Sequence, residues 1–114
     1  MAYSEYIADR VRQRLKGKGV MREIKMMGGL IFMFNGKMCL GIIIDKKSKE
    51  DRLMVRVGKL KYEKLLHQTG SKPMDFTGKP MRGFLFIEPN GFDSEDDLDF
   101  WVLKALEFNK LLTQ

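Results

Sequence analysis

Residues 25–44, KMMGGLIFMFNGKMCLGIII, decide the fold of this chain. Asn35-Gly36 lies at the centre of this stretch between two apolar runs, and this dipeptide is the strongest short-range signal for a two-residue hairpin turn. The pattern predicts two antiparallel strands joined by that turn. The expected pairs across the hairpin are Phe34 with Lys37, Met33 with Met38, Phe32 with Cys39 and Ile31 with Leu40.

Side chains alternate between the two faces of such a hairpin. One face is wholly apolar and is expected to be the core side, with Ile31, Met33, Met38, Leu40, Ile42 and Ile44. The other face is mixed, with Leu30, Phe32, Phe34, Lys37, Cys39 and Gly41. Two interpretations of the mixed face stay open. Either the hairpin is central and covered on both sides, or Phe32 and Phe34 form a dimer or partner face.

Size and composition predict one globular domain over residues 1–114. A chain of 114 residues, 44% of them hydrophobic, can bury a core without disulfides or a structural metal. No apolar run approaches the roughly 20 residues that span a bilayer, and the N-terminus has no apolar stretch of the secretory type. Cys39 is the only cysteine. We therefore expect a cytoplasmic protein without membrane association.

Helical spacing and capping residues predict three helices. Ser4 caps the first helix, which carries a stripe of Ile7, Val11 and Leu15. A short helix over residues 59–67 is expected to make apolar contacts through Leu60, Leu65 and Leu66. The last helix is capped by Asp93 or Ser94 and has acidic residues in its first turn. Its apolar stripe consists of Leu98, Trp101, Val102, Ala105, Phe108 and Leu112.

Alternating apolar residues predict further strands at 20–27, 53–57 and 83–87. Residues 68–81 are expected to be a long structured loop, anchored in the core by Met74, Phe76 and Met81. The predicted fold class is α+β: a two-layer sandwich with an antiparallel sheet of about five strands packed with three helices.

The sequence contains no recognisable catalytic arrangement. His67 is the only histidine, and it lies near the end of the short predicted helix. Cys39 lies within a predicted strand, where a buried inert thiol is expected. A structural zinc site needs about four thiolate or imidazole ligands, and it is excluded because the sequence has one cysteine and one histidine. No phosphate-binding glycine motif occurs. We expect a protein that is not an enzyme and that has no metal or cofactor.

Charge is distributed unevenly along the chain. Residues 1–87 contain 19 lysines and arginines against 8 acidic residues, whereas residues 88–114 contain 2 against 7. Two basic faces are predicted as nucleic-acid or partner contacts. The first includes Arg10, Arg14 and Lys25, together with Lys18 and Arg22; the second includes Arg56, Lys59, Lys79 and Arg82. The alternative is that opposite charges simply meet within the fold.

Several motifs in this order resemble the N-terminal domain of the TfoX/Sxy family over nearly the whole chain. They are Lys25-Met26-Met27-Gly28-Gly29, Phe32, Asn35-Gly36-Lys37-Met38, Gly41, Leu53-Met54-Val55-Arg56-Val57-Gly58, Gly78-Lys79-Pro80-Met81 and Trp101. Met27 departs from the family pattern, which usually has Phe there. The resemblance implies an α+β domain with an antiparallel sheet and supplies no catalytic residues.

The resemblance also implies a role in regulating natural competence. Full-length members of this family act as co-activators alongside the cyclic-AMP receptor protein and carry a second domain that this sequence lacks. We therefore expect a transcriptional co-regulator that binds a regulatory protein partner or a DNA-bound complex. Two alternatives stay open: a small-ligand or enzymatic pocket under residues 68–81, and a structural homodimer formed through Phe32 and Phe34.

Overall fold

The structure, a computed structural model, describes residues 3–75 and 78–114. Six strands form one antiparallel sheet, and a single 3-10 turn, Pro89–Gly91, precedes the last helix. In chain order the main elements are α1 (Glu5–Leu15), β1 (Met21–Met26), β2 (Gly29–Phe34), β3 (Lys37–Ile44), β4 (Asp51–Arg56), α2 (Lys59–Leu65), β5 (Ser71–Pro73), β6 (Phe84–Ile87) and α3 (Glu95–Leu112).

The strand order is β1-β2-β3-β4-β6-β5, and every neighbouring pair is antiparallel. Buried residues of all three helices belong to one hydrophobic cluster with one face of the sheet. The predicted α+β class with three helices on an antiparallel sheet is therefore confirmed. The prediction of about five strands missed β5, a three-residue edge strand that contains Pro73.

Side-chain caps fix the beginnings of the two long helices. The Ser4 hydroxyl accepts a hydrogen bond from the Ile7 amide (3.3 Å), and the Ser94 hydroxyl accepts one from the Asp97 amide (3.1 Å). Each bond satisfies an amide that has no partner within the first turn of its helix. These contacts confirm the predicted cap at Ser4 and decide between Asp93 and Ser94 in favour of Ser94.

The hairpin turn forms as predicted, but its register shifts by one residue beyond Met38. Phe34 pairs with Lys37 and Met33 with Met38, whereas Phe32 pairs with Leu40. Cys39 is thus the extra residue of a β-bulge. The predicted pairs Phe32 with Cys39 and Ile31 with Leu40 are wrong, because a bulge moves each later residue of its strand one position along the partner.

The bulge also changes which side chains share a face. Leu40 and Ile42, predicted beside Ile31, lie instead with Leu30, Phe32 and Phe34 under the helices. Phe32 is 0% exposed and Phe34 is 3% exposed. The expectation that these two rings form a dimer or partner face is therefore wrong, since the helices of the same chain cover them. The hairpin is buried on both sides.

A second, smaller cluster occupies the opposite face of the sheet. It consists of Ile31, Ile43, Met54, Met74 and Phe86, with partly buried methionines packed around it. Met74 is fully buried, which confirms it as an anchor of the segment after β5, whereas Met81 is 38% exposed and was wrongly predicted to be one. The third predicted anchor, Phe76, lies outside the described residues.

Of the three core contacts predicted for the short helix α2, two form: Leu65 is buried, and Leu66, directly after the helix, is partly buried against the main cluster. Tyr62 and Leu65 are its buried residues, whereas Leu60 is 99% exposed. Leu60 precedes Tyr62 by two residues, which is a rotation of about 200° around the helix. The predicted core contact of Leu60 is therefore wrong. None of the described helices is long and apolar enough to cross a membrane.

Candidate functional site

A groove of about 410 Å³ opens where β4 ends and α2 begins, beside the C-terminal half of α3. Its apolar lining includes Leu60, Phe84, Phe108 and Leu111. Five cationic side chains also line it: Arg56, Lys59, Lys61, Arg82 and Lys104. We call this feature the cationic groove.

Two glycines shape the floor of the cationic groove. Gly58 has φ +86° and ψ 158°, a conformation that is open essentially to glycine alone. The Gly83 carbonyl accepts hydrogen bonds from the amides of Val57 (2.8 Å) and Gly58 (3.0 Å). A Cβ atom on Gly58 would lie 2.4 Å from Cδ1 of Phe108. The bare backbone at this position therefore lets the Phe108 ring of α3 approach the strand end closely.

Arg56 lies between two aromatic rings of the groove. Its guanidinium carbon is 5.2 Å from the centre of the Phe84 ring and 5.6 Å from that of Phe108, within the range of cation–π attraction. Nη1 donates to the Met38 carbonyl at 3.4 Å. Among the described residues no carboxylate pairs with this guanidinium. The rings hold Arg56 in place while most of its donors remain available.

One carboxylate, Glu107, lies among the cations of the groove. Its Oε1 is 3.4 Å from Nζ of Lys61 and 3.5 Å from Nζ of Lys104. Desolvation by burial raises the pKa of Glu107, but Lys104 and Lys61 outweigh it and hold the pKa below its ordinary value. Arg82 lies 3.7 Å from Glu63 on the exposed rim. Even with these pairs, positive charge exceeds negative charge around the groove.

Two of the five residues of the first predicted basic face, Arg10 and Arg14, are neutralised within the fold, whereas Lys18, Arg22 and Lys25 are exposed. Arg14 Nε lies 2.6 Å from Asp99 and Arg14 Nη2 lies 2.9 Å from Glu95, while Arg10 Nε donates to Glu95 at 2.9 Å. The side chains of Arg10 and Arg14 are only 11% and 16% exposed. We call Arg10, Arg14, Glu95 and Asp99 the arginine clasp. The clasp corrects the expectation of one free basic face, because these two cations serve to join α1 to α3.

The second predicted basic face is partly assembled. Arg56, Lys59 and Arg82 line the cationic groove, whereas Lys79 is exposed but lies outside its lining. Lys25 is exposed on β1, at the far edge of the sheet, and is likewise not part of the groove.

None of the residues considered for chemistry lines the groove. Cys39 is buried, and desolvation raises the pKa of its thiol to about 12. His67 is exposed just beyond α2. Of the loop predicted to cover a pocket, Asp75 lines a separate depression of about 620 Å³ next to Lys46, Lys47 and Arg52. No three His, Cys, Asp or Glu side chains in residues 3–75 and 78–114 are grouped to hold a metal ion.

Sequence reasoning missed the apolar half of the groove and two of its lysines. The missed residues are Leu60, Lys61, Phe84, Lys104, Phe108 and Leu111. One signal was present: α3 carries more apolar residues than a single stripe needs, and Leu103, Phe108 and Leu111 lie outside its fully buried set. The position of Leu60 between Lys59 and Lys61 in the sequence was a second signal of an exposed apolar residue among cations.

Comparison with protein families identifies one match. A family model described as the TfoX N-terminal domain matches residues 13–109, nearly the whole chain. No curated protein and no solved structure matched the chain.

Proposed function

Because the chain belongs to the TfoX N-terminal domain family, we propose that it is a non-catalytic binding domain of transcriptional regulation. We propose further that it works by docking on a regulatory protein bound to DNA, and that it does not bind DNA directly. The cationic groove is the proposed docking site. The family resemblance points to the cyclic-AMP receptor protein on its operator as the partner complex to test.

The single observation that carries this proposal is that two cations without a carboxylate partner among the described residues, Arg56 and Lys59, lie beside exposed apolar side chains. Leu60 is 99% exposed and Leu111 is 62% exposed beside Arg56 and Lys59. Duplex DNA presents phosphates to such a surface and offers no matching apolar group along its backbone. A protein surface can satisfy both parts of the groove, since interfaces combine an apolar centre with a polar rim.

The arginine clasp supports the same interpretation. A phosphate-tracking surface needs several free cations, because each neutralised phosphate contributes separately to binding. Arg10 and Arg14 are held by Glu95 and Asp99. The positive charge of the N-terminal part of the chain is thus smaller at its surface than the sequence suggests.

A fluorescence anisotropy experiment tests the proposal. A fluorescein-labelled duplex carrying a binding site for the cyclic-AMP receptor protein is titrated with the chain at physiological salt, once as free DNA and once as the preformed receptor–DNA complex with cyclic AMP. We expect a further rise in anisotropy only with the complex. An equal rise with free DNA would establish direct DNA contact, and no rise with the complex would refute this partner; either result overturns the proposal.

Matched variants locate the contact. Charge reversal at the groove through Lys59→Glu is expected to weaken association about tenfold, since loss of a buried ion pair costs more than 1 kcal/mol. Lys46→Glu, at another exposed lysine in the loop between β3 and β4, is the control and should leave the affinity unchanged. Equal effects of both variants would mean that only net charge matters.

A further inference from the structure

We propose that the cationic groove binds an acidic amphipathic helix of a protein partner. This inference rests on the proposed function and defines the chemistry of the segment that it recognises. The segment would place apolar side chains on the floor of the groove and a carboxylate against Arg56. Three features of the groove lead to this assignment: its charge, its exposed leucines and the way the neighbouring strands are paired.

Charge complementarity selects an acidic occupant. Five cationic side chains and one carboxylate line the groove. Arg56 is the most constrained of the cations because Phe84 and Phe108 flank its guanidinium. A guanidinium held in one orientation loses little conformational freedom on binding a carboxylate, with which it can form two parallel hydrogen bonds. Pre-organisation of this kind favours affinity.

The exposed leucines select an occupant with an apolar side. Leu60 is 99% exposed and Leu111 is 62% exposed, one on each helix that borders the groove. Both side chains would lose contact with water under an apolar residue from a partner, which is favourable in proportion to the area covered. A simple inorganic or phosphate anion would leave these leucines in water.

The strand pairing favours a helix over an extended peptide. The strands that reach the groove are β4 and β6, and each is paired on both sides within the order β3-β4-β6-β5. At the groove, the terminal residues Arg56 and Phe84 pair with each other and extend only one residue beyond the pairing with β3 and β5, which is too short an edge for a partner strand to extend the sheet. The surface offered is made of side chains from two helices and two strand ends. An amphipathic helix meets such a groove with residues spaced at i, i+3 and i+4.

The probe is a fluorescein-labelled synthetic helix of about four turns, roughly 14 residues, with leucines along one stripe and glutamates beside them. Two matched peptides carry lysine for every glutamate, or alanine for every leucine. Each is titrated against the full chain by anisotropy, and amide chemical shifts of the 15N-labelled chain locate the contact. We expect the acidic leucine peptide to bind best and to shift the amides of Gly58 and Gly83 most.

Two variants of exposed leucines distinguish binding at the groove from non-specific hydrophobic binding. Leu60→Asp is expected to weaken binding of the acidic peptide about tenfold, as truncating an interface anchor does. Leu103→Asp is the matched control, because Leu103 is 53% exposed on α3 but does not line the groove. The affinity of Leu103→Asp for the acidic peptide should remain within twofold of wild type. Both positions are exposed, so neither variant should unfold the chain.

Each opposite result overturns the inference. These results are equal binding of the lysine peptide, an unchanged affinity of Leu60→Asp, or no binding of the acidic peptide up to about 1 mM. Displacement of the bound acidic peptide by decanoate at lower concentration than by unlabelled peptide would assign the groove to a small amphipathic anion instead. If the chain bound the acidic peptide but not the receptor–DNA complex described above, the proposed function would be refuted and the assignment of the groove would stand.

Discussion

Gly58 connects the sheet to the cationic groove, and its backbone conformation allows no side chain. Its φ of +86° and ψ of 158° lie in a region that other residues essentially do not occupy. The Phe108 ring fills the space where a Cβ atom would be, 2.4 Å from Cδ1. Packing of α3 against the end of β4 therefore depends on this residue being glycine.

We predict that Gly58→Ala lowers the free energy of unfolding by about 3 kcal/mol, as backbone strain and overpacking each contribute about 1–3 kcal/mol. Urea unfolding followed by Trp101 fluorescence measures this change. Gly17→Ala is the control: Gly17 also has positive φ (+78°), but nothing lies within 4 Å of its Cβ position. We expect a cost of about 1–2 kcal/mol there. Equal losses in both variants would show that the contact with Phe108 is unimportant.

Cys39 shows why the register of the hairpin could not be predicted from the sequence. Asn35-Gly36 correctly predicted the turn and the first two pairs, because turn chemistry is local. A bulge depends on how the strand packs against elements distant in sequence, and no residue type marks it. Cys39 and Leu40 both contribute to the cluster under the helices. The faces of Leu40 and Ile42 were consequently assigned wrongly, although burial of both hairpin faces was foreseen.

At the scale of elements, the arginine clasp joins α1 to α3. The acidic residues at the start of α3 were explained from the sequence by the helix dipole, and the basic residues of α1 were assigned to a nucleic-acid face. In the fold these two groups meet, with Arg14 bonded to both Glu95 and Asp99. Periodicity identified both helices, but it could not show which helices are neighbours. For Arg10 and Arg14, the correct alternative was that opposite charges meet within the fold.

The clasp predicts a specific loss of stability in acid. Hydrogen bonds from Arg14 and Arg10 hold the pKa of Glu95 below its ordinary value of 4.5. A carboxylate with a depressed pKa in the folded state stabilises the fold above its unfolded pKa, and this contribution disappears as the pH falls through the folded pKa. Urea midpoints at pH 7 and pH 3 should therefore differ less in Glu95→Gln than in wild type.

The matched control for this prediction is Glu50→Gln. Glu50 is exposed in the loop between β3 and β4 and forms no ion pair with the described residues. Its variant should retain the pH dependence of wild type. If Glu95→Gln also retained the pH dependence of wild type, the clasp would contribute nothing measurable to stability, as is common for exposed ion pairs.

Asn109 joins α3 to the hairpin. It is 2% exposed, and its Nδ2 donates to the Phe34 carbonyl at 2.8 Å while its Oδ1 accepts from Asn35 Nδ2 at 3.4 Å. Asn109→Ala should lower the free energy of unfolding by about 2 kcal/mol, because a buried carbonyl loses its donor. Urea unfolding tests this, with the exposed neighbour Lys110→Ala as control. A loss in Asn109→Ala no larger than in Lys110→Ala would contradict the role of this bond.

Edge elements and loops were the least predictable parts of the fold. The prolines and glycines of residues 68–81 predict a long loop that includes residues 71–73. Those three residues form β5 at the edge of the sheet, where a proline is tolerated because no further strand needs its amide. Leu60 was misplaced for a related reason: a helix of seven residues contains too few apolar positions to define its buried side.

At the scale of the whole molecule, the helices cover one face of the sheet, whereas the opposite face carries a smaller cluster bordered by methionines. Met26, Met27, Met33 and Met38 are partly buried around the second cluster. Met54 and Met74 are fully buried in this cluster, where the adaptable side chain of methionine fills an irregular space. The cationic groove arises only at this scale, because its lining comes from β4, α2, β6 and α3. Its cations were named from charge, but their apolar neighbours required the assembled fold.

Cys39 offers a test of whether this assembly opens as one unit. It is 1% exposed on β3 beneath the helices, and desolvation raises the pKa of its thiol to about 12. A disulfide reagent such as dithionitrobenzoate should therefore label the native chain only through opening of the core. If opening is global, Gly58→Ala, a substitution on another element, should accelerate labelling by about tenfold for each 1.4 kcal/mol of stability that it removes. Labelling of urea-unfolded chain provides the intrinsic rate, and an unchanged native rate in Gly58→Ala would mean that the bulge opens locally while the remaining fold stays closed.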